Sequence, residues 1–134
     1  MREKLLFDAS SVIYALKLRN LRILYDNYIQ WLTIYEVINA LWKEAALTKA
    51  ISPREAFEIA GLFAKTLEFM RILSPHPHED KILSMAKELN ITAYDASYVI
   101  LAKENNLTLV TEDKKLRTKA EKLVKAINLT QITT

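Results

Sequence analysis

The sequence predicts an α/β fold, a three-layer α/β/α sandwich with a short, mostly parallel central sheet, and three observations carry that prediction. Short apolar runs alternate with longer stretches whose apolar residues recur at helical spacing, as in strands joined by helical crossovers. The 134 residues include one glycine, Gly61, and three prolines, too few turn formers for a loop-rich or all-β chain. Hydrophobic residues make up 51% of the chain and charged residues 26%, enough to bury one core, so residues 1–134 are read as a single domain.

Leu5–Phe7 reads as a short buried strand ended by Asp8, after which Ser10 is expected to cap a helix reaching about Leu18. "LRILYDNY" is ambiguous, a helical turn leading towards a strand near Ile29–Leu32. From Thr33 a helix is expected to about Leu47, with Ile34, Val37, Ile38, Leu41, Trp42 and Ala45 on one face. Ser52-Pro53 is a helix start, with Ser52 as cap, Pro53 in the first turn and Glu55 three residues after the cap. That helix runs to about Thr66, and Glu68–Leu73 is the next strand. "SPHPHED" is a loop. Lys81–Leu89 and Asp95–Glu104 are helices, the second apolar nearly all round and therefore central. Leu107–Val110 is a strand ended by Thr111, Asp113–Val124 a basic helix, and Ala126–Ile132 an edge strand.

Composition narrows the function. There is no cysteine, which excludes disulfides and thiolate metal sites and points to a reducing cytoplasm. The opening "MREKLLFDASSVIYAL" breaks its apolar run at an aspartate, so neither a signal peptide nor a membrane anchor is expected. A single glycine excludes phosphate-binding and dinucleotide loops. The net charge of +3 is mild, yet Lys114, Lys115, Arg117, Lys119, Lys122 and Lys125 crowd one stretch against Glu121 alone, a strip suited to polyanions or to plain solvation.

Four acids form the candidate site. Thr33-Ile-Tyr-Glu36 and Thr92-Ala-Tyr-Asp95 share one pattern, which reads at its plainest as a capping box at two helix starts. Asp8 and Asp113 follow apolar strands, and ligands of parallel sheets gather at the carboxyl ends of strands. Asp8, Glu36, Asp95 and Asp113 can therefore converge. Carboxylates brought together repel one another unless a cation neutralises them, and an all-oxygen donor set suits Mg²⁺ or Mn²⁺. The loop residues His76 and His78, beside Glu79 and Asp80, are read as a surface turn in preference to a metal site, and Trp42 as core or interface in preference to a base-stacking platform.

"LLFDASSVIYAL", "LTIYEVINALWKE" and "ITAYDASYVILAKENNLTLVTEDKKL" resemble, in order and across nearly the whole chain, the acidic motifs of PIN-domain nucleases, especially VapC-type toxins of toxin–antitoxin pairs. The stretch from Thr92 to Leu116 is the specific part. The resemblance implies Asp8, Glu36, Asp95 and Asp113 as metal ligands, with Ser10 and Thr111 as supporting hydroxyls. It implies Mg²⁺- or Mn²⁺-dependent cleavage of single-stranded RNA, with Lys114, Lys115 and Arg117 gripping phosphates. The helices from Thr33 and Pro53 carry more apolar residues than one sheet can cover, which together with the resemblance implies a homodimer. The resemblance also implies a small antitoxin partner, and the composition a cytoplasmic location away from any membrane. Many relatives carry a further acid just after the position of Asp113; here Lys114 and Lys115 stand there, a departure that touches a second metal and not the main pocket. Two rivals compete. A PIN-fold interaction module would keep the acids without using them as a nuclease. A phosphate-accepting receiver domain needs a strand-end lysine, whereas here Glu36 and Asp95 fall on helices.

Overall fold

Five parallel strands lie in the order β3-β2-β1-β4-β5 in the computed structural model, which describes residues 3–132. In chain order the elements are β1 (Leu5–Phe7), α1 (Ala9–Lys17), β2 (Tyr28–Gln30), α2 (Trp31–Trp42), α3 (Pro53–Leu67), β3 (Arg71–Leu73), α4 (Glu79–Leu89), α5 (Ala93–Glu104), β4 (Thr108–Val110), α6 (Lys114–Ala120) and β5 (Ala126–Ile127). The chain winds outwards from β1 to β3, then crosses back to β4 on the other side of β1. That reversal between β1 and β4 is the topological switch point, the crevice where such sheets bind ligands.

Alternation along the strands builds the two cores. Leu5 and Phe7 of β1 and Val110 of β4 face a cluster with Val12 and Leu16 of α1, Val37 and Leu41 of α2, and Ile59 and Phe63 of α3. Leu6 and Leu109 point the opposite way, against Met85 of α4, Val99 and Leu101 of α5, and Leu116 of α6. Helices thus cover both faces, and a sheet buried on both sides needs the uninterrupted apolar strands seen here. Residues Ala96 to Ala102 of α5 are all buried, so this helix is central as its sequence predicts.

Two helix starts, one helix end and one strand end differ from expectation. Asp8, not Ser10, caps α1: its carboxylate accepts the Ser11 backbone N–H at 3.0 Å. β2 runs into α2 with no residue between, so the helix begins at Trp31 and Gln30 is its cap. Thr33 is then three residues inside the helix, accepting the Gln30 N–H at 3.2 Å, and Glu36 lies beyond the capping turn altogether. The helix also ends early as an α-helix, passing into a π-helical turn over Lys43–Leu47. β5 stops at Ile127 because the next amides are taken elsewhere: Glu112 accepts the Leu129 N–H at 2.8 Å and Asn128 that of Gln131 at 3.1 Å. The Ser52 cap, Pro53 start and Thr92 cap are found as expected.

Candidate active site

At the switch point the ends of β1 and β4 are stitched together. The Asp8 N–H donates to the Val110 carbonyl at 3.1 Å, and the Ser11 hydroxyl donates to the same carbonyl at 2.8 Å. Ser10 donates its hydroxyl proton to Asp8 Oδ1 at 2.7 Å and accepts the Glu112 N–H at 3.0 Å. Its oxygen lies 3.4 Å from the Thr111 hydroxyl, which itself accepts the Asp113 N–H at 3.1 Å. The two expected supporting hydroxyls, Ser10 and Thr111, therefore hold the turn carrying Asp113 against the one carrying Asp8.

Each acid arrives on a different element. Asp8 closes β1 and is almost fully buried, and Oδ1 lies within hydrogen-bond reach of the Ser10 hydroxyl, the Ser11 amide and the Ser11 hydroxyl. Glu36 reaches in from α2, half-buried, and its Oε1 accepts the Tyr98 hydroxyl at 2.6 Å. Asp95 lies in the first turn of α5, its backbone N–H held by the Thr92 hydroxyl at 3.1 Å. Asp113 caps α6, with Oδ1 accepting the Lys115 and Leu116 amides at 2.9 and 3.2 Å. Three of the four acids thus use one carboxylate oxygen to hold the fold and keep the other out of these bonds.

Their charges act on one another. Burial pushes Glu36 upwards, the Tyr98 hydroxyl opposes this, and the charges of Asp8 and Asp95 add to the rise. Burial also raises Asp95, helped by the charges of Asp113 and Asp8. Asp8 is raised by burial against the pull of the nearby Thr111 and Ser10 hydroxyls and Ser11. Asp8, Glu36 and Asp95 thus lie near enough to feel one another's charge, and Asp113 near enough to act on Asp95. Among the described residues no three acidic or histidine side chains stand close enough together to form a ready metal cage.

Beyond Asp95 and Asp113 a cleft of about 440 Å³ runs between the α4–α5 turn and α6, walled by Asn90, Thr92, Lys115 and Lys119. Lys114 and Lys115 are exposed beside it, whereas Arg117 braces the turn, donating from Nη1 to the Thr111 carbonyl at 2.7 Å. His76 and His78 stand apart, in the loop entering α4, where His76 Nδ1 is 2.5 Å from Glu79 Oε2. Sequence reasoning passed over Tyr98, Gln30, Ser11 and Glu112. Only Tyr98 carried a usable signal, its place one helical turn after Asp95.

A second feature lies on the other stripe of α2. Trp31, Tyr35, Ile38 and Trp42 recur along it at heptad spacing, and Trp31, Tyr35 and Trp42 each expose more than half of their surface. With Phe57 and Ala60 of α3, Ile38 and Trp42 line an apolar groove of about 310 Å³. Val37, Leu41, Ile59 and Phe63 point inwards to the core. No helix of the described residues is long and apolar enough to cross a membrane.

Comparison with known proteins agrees with this geometry. Residues 5–122 match the family described as the PIN domain. Exonuclease VapC9 of Pyrobaculum aerophilum is 38% identical over 127 residues, 87% of this chain and 85% of that protein. Ribonuclease VapC3 of the same organism is 31% identical over 96 residues, covering 69% and 70%. The crystal structure of PAE2754 from Pyrobaculum aerophilum superposes with a TM-score of 0.77 at 32% identity, over 94% of this chain and 90% of that one. The DNA-bound VapBC structure from Salmonella typhimurium shares the fold, with a TM-score of 0.65 at 16% identity over 94% and 98%.

Proposed function

The chain belongs to the PIN domain family, on its VapC-type branch, and on that premise we propose that it is a nuclease hydrolysing phosphodiester bonds of single-stranded RNA with Mg²⁺ or Mn²⁺. The observation that carries this reading is the gathering of acids at the switch point, where Asp8, Glu36 and Asp113 each take hydrogen bonds from the fold on one carboxylate oxygen and Asp8, Glu36 and Asp95 act on one another's charge. An all-oxygen donor set fits a hard divalent cation. Asp8, Glu36, Asp95 and Asp113 would hold it. A bound cation would lower the pKa of an attacking water and offset charge on the phosphate.

The chain's own residues then do the positioning. Ser10 and Thr111 fix the Asp8 and Asp113 turns, and Lys114 and Lys115 hold backbone phosphates without reading bases. Lys119 sits with its ammonium 3.1 Å from the Asn90 carbonyl and extends that positive wall along the cleft. We assign the α2–α3 groove to assembly: a second copy of the chain pairs there, and an antitoxin segment lies along what remains of it. The Salmonella typhimurium structure that shares this fold is of DNA-bound VapBC, which supports a partner of that kind. The chain works in the cytoplasm.

The test is cleavage of linear and circular single-stranded RNA, duplex RNA and single-stranded DNA, with Mg²⁺, Mn²⁺ or EDTA. Cleavage of the circular RNA, dependent on metal, is expected and separates internal from end-directed attack, a distinction sharpened by the exonuclease name of one relative. Asp95→Asn should abolish cleavage and leave the fold intact, with an unchanged or higher melting temperature as repulsion is relieved. Undiminished metal-dependent cleavage by the purified variant would remove Asp95 from the site. No cleavage of any substrate by the wild type would favour the interaction-module alternative.

A further inference from the structure

Tyr98 is buried on α5, with 1% of its surface exposed, in a helix otherwise filled with aliphatic side chains. Its hydroxyl lies 2.8 Å from the Thr33 hydroxyl and 2.6 Å from Glu36 Oε1. The Thr33 oxygen in turn accepts the Gln30 backbone N–H at 3.2 Å. These contacts fix the direction of every proton. An ionised Glu36 only accepts, so the single Tyr98 proton goes to it. The Tyr98 oxygen must then accept from Thr33, whose lone pairs are left for the Gln30 amide. A one-way chain thus runs from the end of β2 through Thr33 and Tyr98 to one oxygen of Glu36. Hydrogen bonds in such a chain polarise one another, and the last, to a carboxylate, is the strongest.

The chain joins two acids as well as two helices. Tyr98 lies one turn beyond Asp95 on the same helix, so the helix that carries Asp95 also grips Glu36. A second tie, from Gln30 Nε2 to the Ser97 hydroxyl at 2.8 Å, anchors the same turn of α5 to the end of β2. Glu36 has three side-chain torsions and is half in solvent; left to itself it would sample many positions. We propose that Tyr98 is a positioning residue, whose hydroxyl locks Glu36 at a set distance from Asp95 with Oε2 left to face the pocket. The proposal rests on the metal-dependent nuclease reading. Outer groups that orient a metal-binding side chain are worth about 10- to 100-fold in affinity or activity.

The experiment compares wild type, Tyr98→Phe, Thr33→Val and Asp95→Asn, with Mn²⁺ binding followed by electron paramagnetic resonance and single-stranded RNA cleavage in parallel. Tyr98→Phe should weaken Mn²⁺ about 10-fold or more and lower kcat, with KM for RNA unchanged. Thr33→Val, which removes only the upstream link, should act in the same direction and less strongly. A wild type with neither Mn²⁺ binding nor cleavage overturns the nuclease reading and this proposal with it. Normal Mn²⁺ affinity and kcat in Tyr98→Phe, beside a lost signal in Asp95→Asn, overturns the positioning role alone, even if its melting temperature falls. Nuclear magnetic resonance of the wild type gives a measurement free of any folding defect. The Tyr98 hydroxyl proton should lie downfield and move on addition of Mg²⁺; a proton indifferent to Mg²⁺ counts against the proposal.

Discussion

Burial and mutual repulsion act together on Asp8, Glu36 and Asp95, and stability should record it. All three carboxyls are raised in the folded chain, chiefly because burial disfavours the charged form. A raised acid binds its proton more tightly when folded. Its stabilising effect is complete below the unfolded value, about 3.9 for Asp and 4.3 for Glu, and is lost as pH rises through the folded value. Chelator-treated protein should therefore melt at a higher temperature just above the ordinary carboxylate range than at neutral pH. Asp95→Asn should flatten that slope, and calorimetry across the range measures both. A melting temperature that only falls on acidification, equally in both proteins, would argue against a crowded pocket. The four candidate acids stand out in the sequence because each follows an apolar run or sits near an expected helix start, although two of them, Asp8 and Asp113, also serve as helix caps. Tyr98 was passed over although it stands one turn after Asp95, since a buried aromatic on an apolar helix looks like plain core until its partners from α2 are in place.

The two threonines of the repeated pattern turn out to do different work. Thr92 is a solvent-exposed cap, so Thr92→Ala should cost about 1 kcal/mol. Thr33 is fully buried and serves both the Gln30 amide and Tyr98; Thr33→Val strands both and should cost more, about 1–3 kcal/mol. Denaturant midpoints for the two variants decide the order, and equal losses would mean that both are plain caps. The identity and sequence of the elements could be read from periodicity, because a buried strand and a one-sided helix leave different spacings. Their starts could not. Whether β2 passes into α2 at Gln30 or Thr33 depends on which oxygen reaches the orphan amide, and Gln, Thr and Ser patterns allow both. The end of β5 was hidden for a similar reason: Glu112, seventeen residues before Leu129, takes its amide.

For the whole molecule, the exposed apolar stripe of α2 and its groove against α3 call for cover. Phe57 keeps 80% of its surface exposed, Trp42 54% and Ile38 45%, a patch of the kind that marks an interface. Closed two-fold pairing is the commonest way to bury one. Phe57→Asp should therefore convert a dimer to a monomer by light scattering at micromolar concentration, with the fold kept, since the side chain touches no core. A wild-type mass of one chain, unchanged on dilution, would count decisively against pairing on this face. The sequence showed an excess of apolar residues on these helices. It did not say which were spare, because only the packed sheet decides that Val37, Leu41, Ile59 and Phe63 are core.

The divided use of the carboxylates also bears on how such a protein can be lost and kept. Asp8 and Asp113 each place on one oxygen the bonds that fold their turns. An asparagine there can turn its remaining oxygen to those donors and its amide to the pocket. The chain is then disarmed without being unfolded, by a change that asparagine and aspartate codons reach through a single base. The α2–α3 groove lies on other elements, so the pairing proposed for it would be kept by such a chain. Inactivating substitutions at these positions are therefore expected to accumulate as folded chains, with an unchanged melting temperature, rather than vanish as misfolded products.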